Sequence, residues 1–391
     1  MIAASVGVGT GNDAYKAGAE ACTQALLGIP GGKASALIVF GSISFDQDKL
    51  IEGITATAPG GLIIGCSTAG EISSEGFSNE KSVVVMAIDS DQMQFWGGVG
   101  NHILWNPRQA GEECANQIQY SSHGYITSCI TFLDILSGNG DQTLGGVLNR
   151  LGATFPIYGG VASDDMLFYE TFQYLGDKVY KNSIVGVGLS GTYHAAGVAR
   201  HGFLPIGVAR KVTKADDTTL YELDGKPASS IYEEYFGEEH ISELHEGLLP
   251  SLAVSYPLGV FMPESNDVVL RNPIFVDQKG AMTFTAAIPE GAEIRLMISD
   301  IDRALETTEL AAREVLAKLE GKSPKAVIMI GSVARKKMLG LRADEEIEIV
   351  QRIMGRDVPI VGYYSYAQIG GMLGEQVPLH NGALLIWALA E

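Results

Sequence analysis

Short apolar runs alternate along this chain with longer stretches in which apolar residues recur at helical spacing. Ile2 to Val8 and Ala36 to Phe40 predict strands, because each is a compact apolar run bounded by turn residues. An Ala-rich stretch behind Asn12 or Asp13 predicts a capped helix that ends near Leu27. Asp46 to Ala58 predicts a second helix, with its apolar residues on one face. The N-terminal part therefore alternates strands with helices.

Three strands in this pattern end in a glycine followed by small polar or aromatic residues. These loops cover residues 65–71, 156–164 and 359–366, and an apolar strand follows each of them. Glycine is used where the backbone turns sharply or approaches another group closely. The first strands of the units begin near Ala36, Ser128 and Ala326, and their spacing to the glycines is similar. We interpret this as a three-fold repeat of strand, helix, strand, glycine loop and strand, although a glycine-rich chain can also show such spacing by chance.

The middle of the chain has a different pattern, and we place a domain boundary between residues 1–218 and 219–391. Turn residues separate several apolar runs at hairpin spacing, which predicts an antiparallel meander. The predicted meander strands lie within 253–260, 268–271, 282–284 and 294–297, and a strand at 202–212 and a helix at 228–236 precede them. A helix capped by Asp300 or Asp302 and reaching Leu319 follows. Mixed sheets with flanking helices make the predicted class α+β.

Composition and charge limit the partners, bound metals and cellular locations that we expect for this protein. The 391 residues carry a formal net charge of −19, which disfavours nucleic acid or an anionic membrane as the main partner. The four cysteines are widely spaced, so the sequence indicates neither a disulfide framework nor a zinc site. The N terminus lacks the pattern of a signal peptide, and no apolar run is long enough for a membrane span. We therefore expect a cytoplasmic protein without membrane insertion.

Several short motifs, in order along nearly the whole chain, resemble one known family. Ile64-Gly65-Cys66-Ser67-Thr68-Ala69-Gly70-Glu71-Ile72 is similar to the "GcStaGEi" signature of the FIST-domain family, whose members have N-terminal and C-terminal FIST halves. The other matching segments are Tyr221 to Ala228, Tyr256 to Gly259, Leu270 to Pro273, Pro289 to Gly291, Val333 to Arg335 with Leu339-Gly340, and His380 to Gly382. Each motif is weak alone, but their shared order is specific.

The resemblance implies a sensory module that binds a small molecule such as an amino acid. Family members are often joined to a signalling output domain. This chain ends four residues after Trp387, so we expect the output to lie on a separate partner chain. Two positions depart from the family pattern. Gln368 stands where the family tends to have a glutamate, and Ser332 stands where a cysteine is frequent, so ligand preference does not transfer there.

The predicted ligand site combines the glycine loops with charged residues near strand ends. A zwitterionic amino acid needs a cation and an anion, which Arg271 or Arg335 with Glu71 or Asp164 could supply. The structural alternatives are ion pairs for the arginines and loop capping for the carboxylates. The full set of candidate ligand-binding residues is Gly65, Cys66, Ser67, Thr68, Glu71, Gly160, Ser163, Asp164, Arg271, Arg335, Tyr363, Tyr364, His380 and Asn381.

Two other functional hypotheses remain open at this stage. Cys66 at a strand-to-loop turn, with His380, could be the nucleophile of a hydrolase or transferase. The chain could also be a protein-interaction scaffold without a metabolite. We predict no cofactor and no metal site, since the histidines lack metal spacing; His240 and His245 lie in an acidic run that is more typical of a solvated face.

Overall fold

The computed structural model describes residues 1–78, 81–136, 138–237, 251–261, 268–371 and 378–391. His240 and His245 lie outside these residues. The elements up to residue 200 are β1 Ile2–Thr10, α1 Ala14–Leu27, β2 Ala36–Ser42, α2 Gln47–Thr57, β3 Leu62–Thr68, β4 Glu71–Ser73, β5 Gly76–Ser78, β6 Ser82–Ser90, β7 Met93–Asn101, α3 Pro107–Ser121, β8 Ser128–Leu133, α4 Gly140–Leu151, β9 Ile157–Val161, β10 Gln173–Leu175, β11 Lys178–Tyr180, β12 Ser183–Gly191 and β13 His194–Arg200.

The remaining elements form a β-rich segment and a final strand–helix unit. They are β14 Leu204–Asp216, β15 Thr219–Leu223, β16 Lys226–Pro227, α5 Ser230–Phe236, α6 Ser251–Ser255, β17 Leu258–Phe261, β18 Val268–Arg271, β19 Phe275–Val276, β20 Met282–Thr283, β21 Glu293–Ile298, α7 Ile301–Lys318, β22 Pro324–Ser332, α8 Val333–Leu339, α9 Ala343–Met354, β23 Ile360–Ser365, β24 Gln368–Ile369, β25 Leu379–His380 and β26 Leu384–Ala390.

Three six-stranded sheets share one strand arrangement. Sheet 1 has the order β1-β6-β2-β3-β10-β11, sheet 2 the order β7-β12-β8-β9-β24-β25, and sheet 3 the order β13-β26-β22-β23-β4-β5. In each sheet the third and fourth strands are parallel, and every other neighbouring pair is antiparallel. The class is therefore α+β with mixed sheets, as the sequence predicts.

A hairpin from elsewhere in the chain completes each of the three sheets. Hairpin β4–β5 follows β3 but pairs with β23 in sheet 3, where Glu71 lies opposite Tyr363. Hairpin β10–β11 pairs with β3 in sheet 1, and β24–β25 pairs with β9 in sheet 2. This exchange brings the loops after β3, β9 and β23 together, because each loop leads from one sheet into another.

Both faces of the central strands are buried, which explains their nearly continuous apolar sequences. On β2, Ile38 and Phe40 face a shared core between the sheets, whereas Leu37 and Val39 face helices α1 and α2. Phe40 of sheet 1, Phe132 of sheet 2 and Tyr363 of sheet 3 meet in the shared core, with ring centroids 4.5 to 6.0 Å apart. The three sheets are thus held together by one apolar interior.

Residues 204–237, 251–261 and 268–298 form an additional antiparallel module, which we call the β module. Its strand order is β18-β17-β21-β14-β15-β20-β19, with β16 beside β15. The pairing is antiparallel as predicted, but the strands do not follow chain order. The predicted strand within 253–260 is only partly right, since α6 precedes β17 there. The boundary at residue 218 remains a prediction; β14, which precedes it, pairs with β21 beyond it.

Capping residues in the sequence correctly predicted where several helices begin. The Asp13 side chain accepts a hydrogen bond from the Lys16 amide, and the Asp300 side chain accepts one from the Arg303 amide. These carboxylates satisfy amides that have no partner inside the helix. Among the helices of the described ranges, none combines the length and apolar character needed to cross a bilayer.

Candidate functional site

The three glycine loops meet through direct hydrogen bonds. The Ser163 amide donates to the Ser67 carbonyl at 3.0 Å, and the Ser163 hydroxyl donates to the Tyr364 carbonyl at 2.7 Å. The Ser67 hydroxyl donates in turn to the Ser163 carbonyl at 3.0 Å and also accepts from the Phe172 amide. Residues from all three sheets therefore form a buried, hydrogen-bonded junction. Because these hydroxyls are buried and hydrogen-bonded to backbone groups, they hold the loops in position.

The glycines of the junction allow close approach of neighbouring strands. A Cβ atom added to Gly65 would lie 1.7 Å from the Val39 carbonyl oxygen, and one added to Gly160 would lie 2.7 Å from the Tyr363 hydroxyl. The Tyr363 hydroxyl donates to the Val161 carbonyl at 3.1 Å. These positions therefore require glycine for packing, and Tyr363 lies in the shared core with no access to solvent.

Cys66 is buried in the same core. Its side chain has no exposed surface, and burial raises the pKa of the thiol far above its usual range. His380, the suggested partner, is hydrogen-bonded through Nε2 to the Gly370 carbonyl at 3.0 Å, and burial lowers its pKa to about 4. A nucleophilic cysteine needs a thiolate and access to substrate. The arrangement offers neither.

We expect Cys66 to resist alkylation in the folded protein. Iodoacetamide at pH 8 should modify it only at the rate of unfolding, because a thiol without solvent contact and with a raised pKa gives almost no reactive thiolate. Intact-mass and peptide mass spectrometry measure the rate, and the same reaction in urea provides the unfolded reference. Rapid labelling of Cys66 in native buffer would restore the hydrolase hypothesis.

Both candidate arginines are buried and engaged in structural contacts. Arg335 donates from Nε to Glu346 at 2.8 Å and from Nη2 to the Thr308 hydroxyl at 2.9 Å. Arg271 donates from Nη1 to the Leu379 carbonyl at 2.8 Å and lies 3.5 Å from Asp141. Arg335 thus ties α8 to α7 and α9, and Arg271 ties the β module to sheet 2. The structure does not bring either guanidinium into a cavity with Glu71 or Asp164.

Asp164 caps the loop that follows β9. Its carboxylate accepts backbone N–H bonds from Phe168, Tyr169 and Glu170 at 2.7 to 3.1 Å, and a hydrogen bond from the Tyr366 hydroxyl. This loop holds Asp165 and Met166 at positive φ of 56° and 63°, a conformation that non-glycine residues adopt rarely. Strain of this kind persists where surrounding contacts impose it, and it is frequent at ligand sites.

Asn381 and Thr68 likewise have partners at the junction. Asn381 donates from its amide to the Tyr366 carbonyl at 3.0 Å. Thr68 donates to the Gly41 carbonyl at 3.3 Å and to the Glu71 carboxyl group. Both side chains therefore fix the ends of strands.

Glu71 is a buried carboxyl group directly beside a cavity. It receives hydrogen bonds from the Thr68 and Ser82 hydroxyls, and only 1% of the residue is exposed. Burial raises the pKa of Glu71 to about 8, against the lowering effects of those hydroxyls and of Lys336. Gln173 and Gln368 occupy the corresponding register positions on β10 and β24. Glu71 is thus the ionisable member of the three.

The raised pKa of Glu71 predicts a pH dependence of stability. The folded state keeps its proton up to about pH 8, whereas the unfolded carboxyl loses it near 4.5. Between these values the folded protein binds more protons, so its free energy of unfolding falls as pH rises. Glu71→Gln should remove this component. Urea unfolding at pH 5, 6.5 and 8 tests it: the wild type should lose stability relative to the variant over this range. A constant difference between the two proteins would contradict the raised pKa.

A cavity of about 390 Å³ lies against hairpin β4–β5, the hairpin that Glu71 begins. Its walls come from the loop after β3, hairpin β4–β5, the Asp164 loop and helix α8. The residues lining it are Ala69, Phe77, Asp165, Met166, Val333, Lys336, Lys337, Gly340 and Leu341. This volume suits a small metabolite. Three separate parts of the chain, each carrying one of the sequence motifs, thus border one cavity.

Lys336 is the principal cation of this cavity. Its ammonium donates to the Ala69 carbonyl at 2.6 Å and lies 4.9 Å from the centre of the Phe77 ring and 5.8 Å from that of Tyr364. Within the described residues it has no ion-pair partner within 4.0 Å, so its remaining N–H donors are available. Burial lowers the pKa of Lys336, while Asp165 and Glu71 oppose that change.

Sequence reasoning missed Lys336 and Asp165 by one position each. The motif residues Arg335 and Asp164 point into the structure, and their neighbours face the cavity. Since Lys336 lies on a helix, it points about 100° away from Arg335. If Val333 to Leu339 had been predicted as a helix, Arg335 and Lys336 would have been assigned to different faces of it. Of the predicted site residues, Tyr364 packs against the lining residue Phe77 with ring centroids 5.2 Å apart, and Glu71 begins the hairpin that carries Phe77.

Comparisons with known proteins identify relatives over the whole chain. An uncharacterized protein of Methanocaldococcus jannaschii is 27% identical over 297 residues, covering 71% of this chain and 56% of the relative. This chain therefore spans only a little over half the length of that protein. An uncharacterized protein of Mycobacterium tuberculosis strain H37Rv is 23% identical over 390 residues, with 96% of each chain covered. Among solved structures, cyanuric acid hydrolase from A. caulinodans aligns over 100% of both chains with 8% identity and a TM-score of 0.41.

The family assignment is based on matches to both FIST halves. The FIST N domain matches residues 35–226, and the FIST C domain matches residues 228–371. FIST domains are in general sensory, ligand-binding signalling domains. With both halves matched in order across most of its length, this chain belongs to the FIST family.

Proposed function

We propose that the protein is a cytoplasmic sensor that binds an amino acid in the Lys336 cavity and signals through a separate partner chain. The observation that carries this proposal is an ammonium group that has no ion pair among the described residues and lies in a metabolite-sized cavity, with a carboxylate at its mouth. Lys336 would bind the ligand carboxylate through its remaining donors, and Asp165 would bind the ligand ammonium group.

The walls of the cavity indicate which side chain the amino acid would carry. Phe77, Met166, Val333 and Leu341 present apolar surface, whereas the charged groups come from Lys336, Lys337 and Asp165. An apolar ligand side chain buried against these residues would add about 25 cal/mol for each Å² removed from water. We therefore favour amino acids with aliphatic or aromatic side chains over those with a third charge.

The strained loop offers a way to transmit binding. Asp165 and Met166 line the cavity, and the same loop is held by Asp164 through backbone amides. A ligand that bonds to Asp165 would change the balance of forces on this loop. A partner chain that contacts the exposed residues of the loop, such as Leu167 and Tyr169, could read the change.

The experiment is a thermal-shift screen with matched ligand series. Each apolar amino acid is compared with its amine, which lacks the carboxylate, and with its carboxylic acid, which lacks the ammonium group. Binding only to the folded state raises the free energy of unfolding, by about 2.7 kcal/mol at a ligand concentration 100-fold above the dissociation constant, and the melting temperature rises with it. The proposal expects stabilisation by the zwitterion and a much smaller effect of both analogues. Equal stabilisation by an analogue, or none by any amino acid, would contradict it.

A further inference from the structure

The Lys336 cavity is one of three comparable places in the fold. Each lies where an exchanged hairpin meets the chain segment that leaves the first of the two parallel strands of the accepting sheet. For hairpin β4–β5 this segment is residues 333–341 after β22, for β10–β11 it is residues 43–48 after β2, and for β24–β25 it is residues 134–136 and 138–141 after β8. We call these places seams 1, 2 and 3. Because the three seams are built from corresponding elements, the residues that fill or line one seam can be compared with those in the other two.

Seam 3 is filled by the β module. Arg271 reaches from β18 to the Leu379 carbonyl and to Asp141, and the Ala287 amide donates to Asp141 at 3.0 Å. Asn139 donates to Asp217 at the same junction. The module therefore occupies the position that remains a cavity in seam 1.

Seam 2 is open and forms a cavity of about 490 Å³. One wall is the segment from Ile43 to Asp48, and the other is the Asp164 loop with Phe172 and Lys181. The cavity has aromatic surface from Phe45, Phe172 and Tyr169. Asp165 and Met166 of the same loop face seam 1 instead. The two cavities thus lie on opposite sides of a single loop.

The charges in seam 2 are the reverse of those in seam 1. Three exposed or half-buried carboxylates line the cavity, from Asp46, Asp48 and Glu170, beside a single lining ammonium group, from Lys181, whereas the buried Asp164 carboxylate is held by backbone amides. The Lys181 ammonium is already paired with Glu170 at 2.6 Å. Asp46 lies 3.9 Å from the Lys49 ammonium. Asp48 has no ion pair within the described chain. Seam 2 therefore carries excess negative charge and would attract a cation.

The aromatic rings of this cavity already hold cations that belong to the chain itself. The Lys181 ammonium lies 4.6 Å from the centre of the Phe172 ring, and the Lys81 ammonium lies 4.8 Å from that of Phe45. A cation over a ring face is attracted by the negative potential of the π system. Both lysine side chains are on the surface and can move aside, since they are anchored by long flexible stems. The ring faces can then accept a cation from solution.

We propose that seam 2 binds an organic cation, an ammonium compound with an aromatic or aliphatic body, in the place now held by the Lys181 side chain. The ligand ammonium would bind to Glu170 and lie over Phe172, and its body would pack on Tyr169 and Phe45. Lys181 acts as an internal competitor for this site. The inference is independent of the ligand bound in seam 1.

Because the Lys181 ammonium competes for the site, a variant without it should bind a cation more tightly than the wild type does. The probe is phenethylammonium chloride, with 2-phenylethanol as the neutral control and 3-phenylpropionate as the anionic control, each titrated by isothermal calorimetry or saturation-transfer NMR. Lys181→Met should bind the ammonium probe about fivefold more tightly than the wild type, because it frees the Phe172 face and the Glu170 carboxylate. Glu170→Gln should bind it about fivefold more weakly.

Matched controls separate a site from a general charge effect. Lys178→Met removes an exposed lysine from the same hairpin without changing the cavity lining, and it should leave probe binding unchanged. Circular dichroism checks that every variant is folded. Equal binding of the three probes, or no gain of affinity in Lys181→Met over Lys178→Met, would overturn the proposal. The Lys336 variants test seam 1 separately, so failure of either proposal is recognised on its own.

Discussion

Arg335→Met should lower the free energy of unfolding by about 3–5 kcal/mol, the largest stability effect expected from any single change at the predicted site residues. The guanidinium is completely buried and joins three helices through Glu346, Thr308 and the Ala304 carbonyl. Removing it leaves the Glu346 carboxylate as an uncompensated charge in the interior. Breaking one half of a buried pair costs far more than the pair itself contributes.

Urea unfolding followed by circular dichroism measures this loss. The double variant Arg335→Met with Glu346→Leu should recover part of it, because it removes both charges together. Arg352→Met is the surface control: its pair with Glu309 is exposed to solvent, and such pairs contribute about 0–1 kcal/mol. A loss below about 1 kcal/mol in Arg335→Met would mean that the guanidinium is free for another role, and its candidacy as a ligand residue would return.

Lys336→Met should weaken amino acid binding by about 10- to 100-fold. Hydrogen bonds to charged groups contribute about 1.5–3 kcal/mol, and each 1.4 kcal/mol changes an affinity tenfold. Methionine keeps the length and the apolar contacts with Phe77 but donates no hydrogen bond to a carboxylate. Calorimetric titration with the amino acid that stabilises the wild type most strongly gives the two dissociation constants.

Lys337→Met provides the matched control for net charge. Lys337 also borders the cavity, but it is an exposed residue on the next helical position. Its loss should change affinity by less than about threefold if the contact with Lys336 is direct. Similar losses in both variants would indicate a long-range charge effect, and unchanged affinity in Lys336→Met would place the ligand elsewhere.

The sequence predicted local structure and the fold class well, since these depend on neighbouring residues. Capping carboxylates at Asp13 and Asp300 and the buried runs of β2 and β3 are recognisable from short windows. The exchanged hairpins were not predicted. Their pairing depends on distant partners such as Glu71 with Tyr363, and short strands of two or three residues carry no periodic signal.

The predicted ligand site remains a prediction, but the segments that the sequence singled out can be compared with the side chains that line the Lys336 cavity. The signature loop around Glu71 and the Val333–Arg335 segment do border one cavity. Whether a side chain such as Arg335 or its neighbour Lys336 points inward depends on helix phase, which follows from tertiary packing. The contacts of Arg271 could not be predicted from the sequence either, because its partners Leu379 and Asp141 are far away along the chain.

The exchange of hairpins also has a consequence for how this protein is made. During synthesis, hairpin β4–β5 leaves the ribosome long before its partner strand β23, because residues 79–359 lie between them in the chain. Until then its backbone N–H and C=O groups are unpaired, and such edges are prone to pair with other chains. Folding dominated by distant contacts is also slow. Nascent chains should therefore depend on chaperones, and the wall of the Lys336 cavity closes only after β23 has been synthesised.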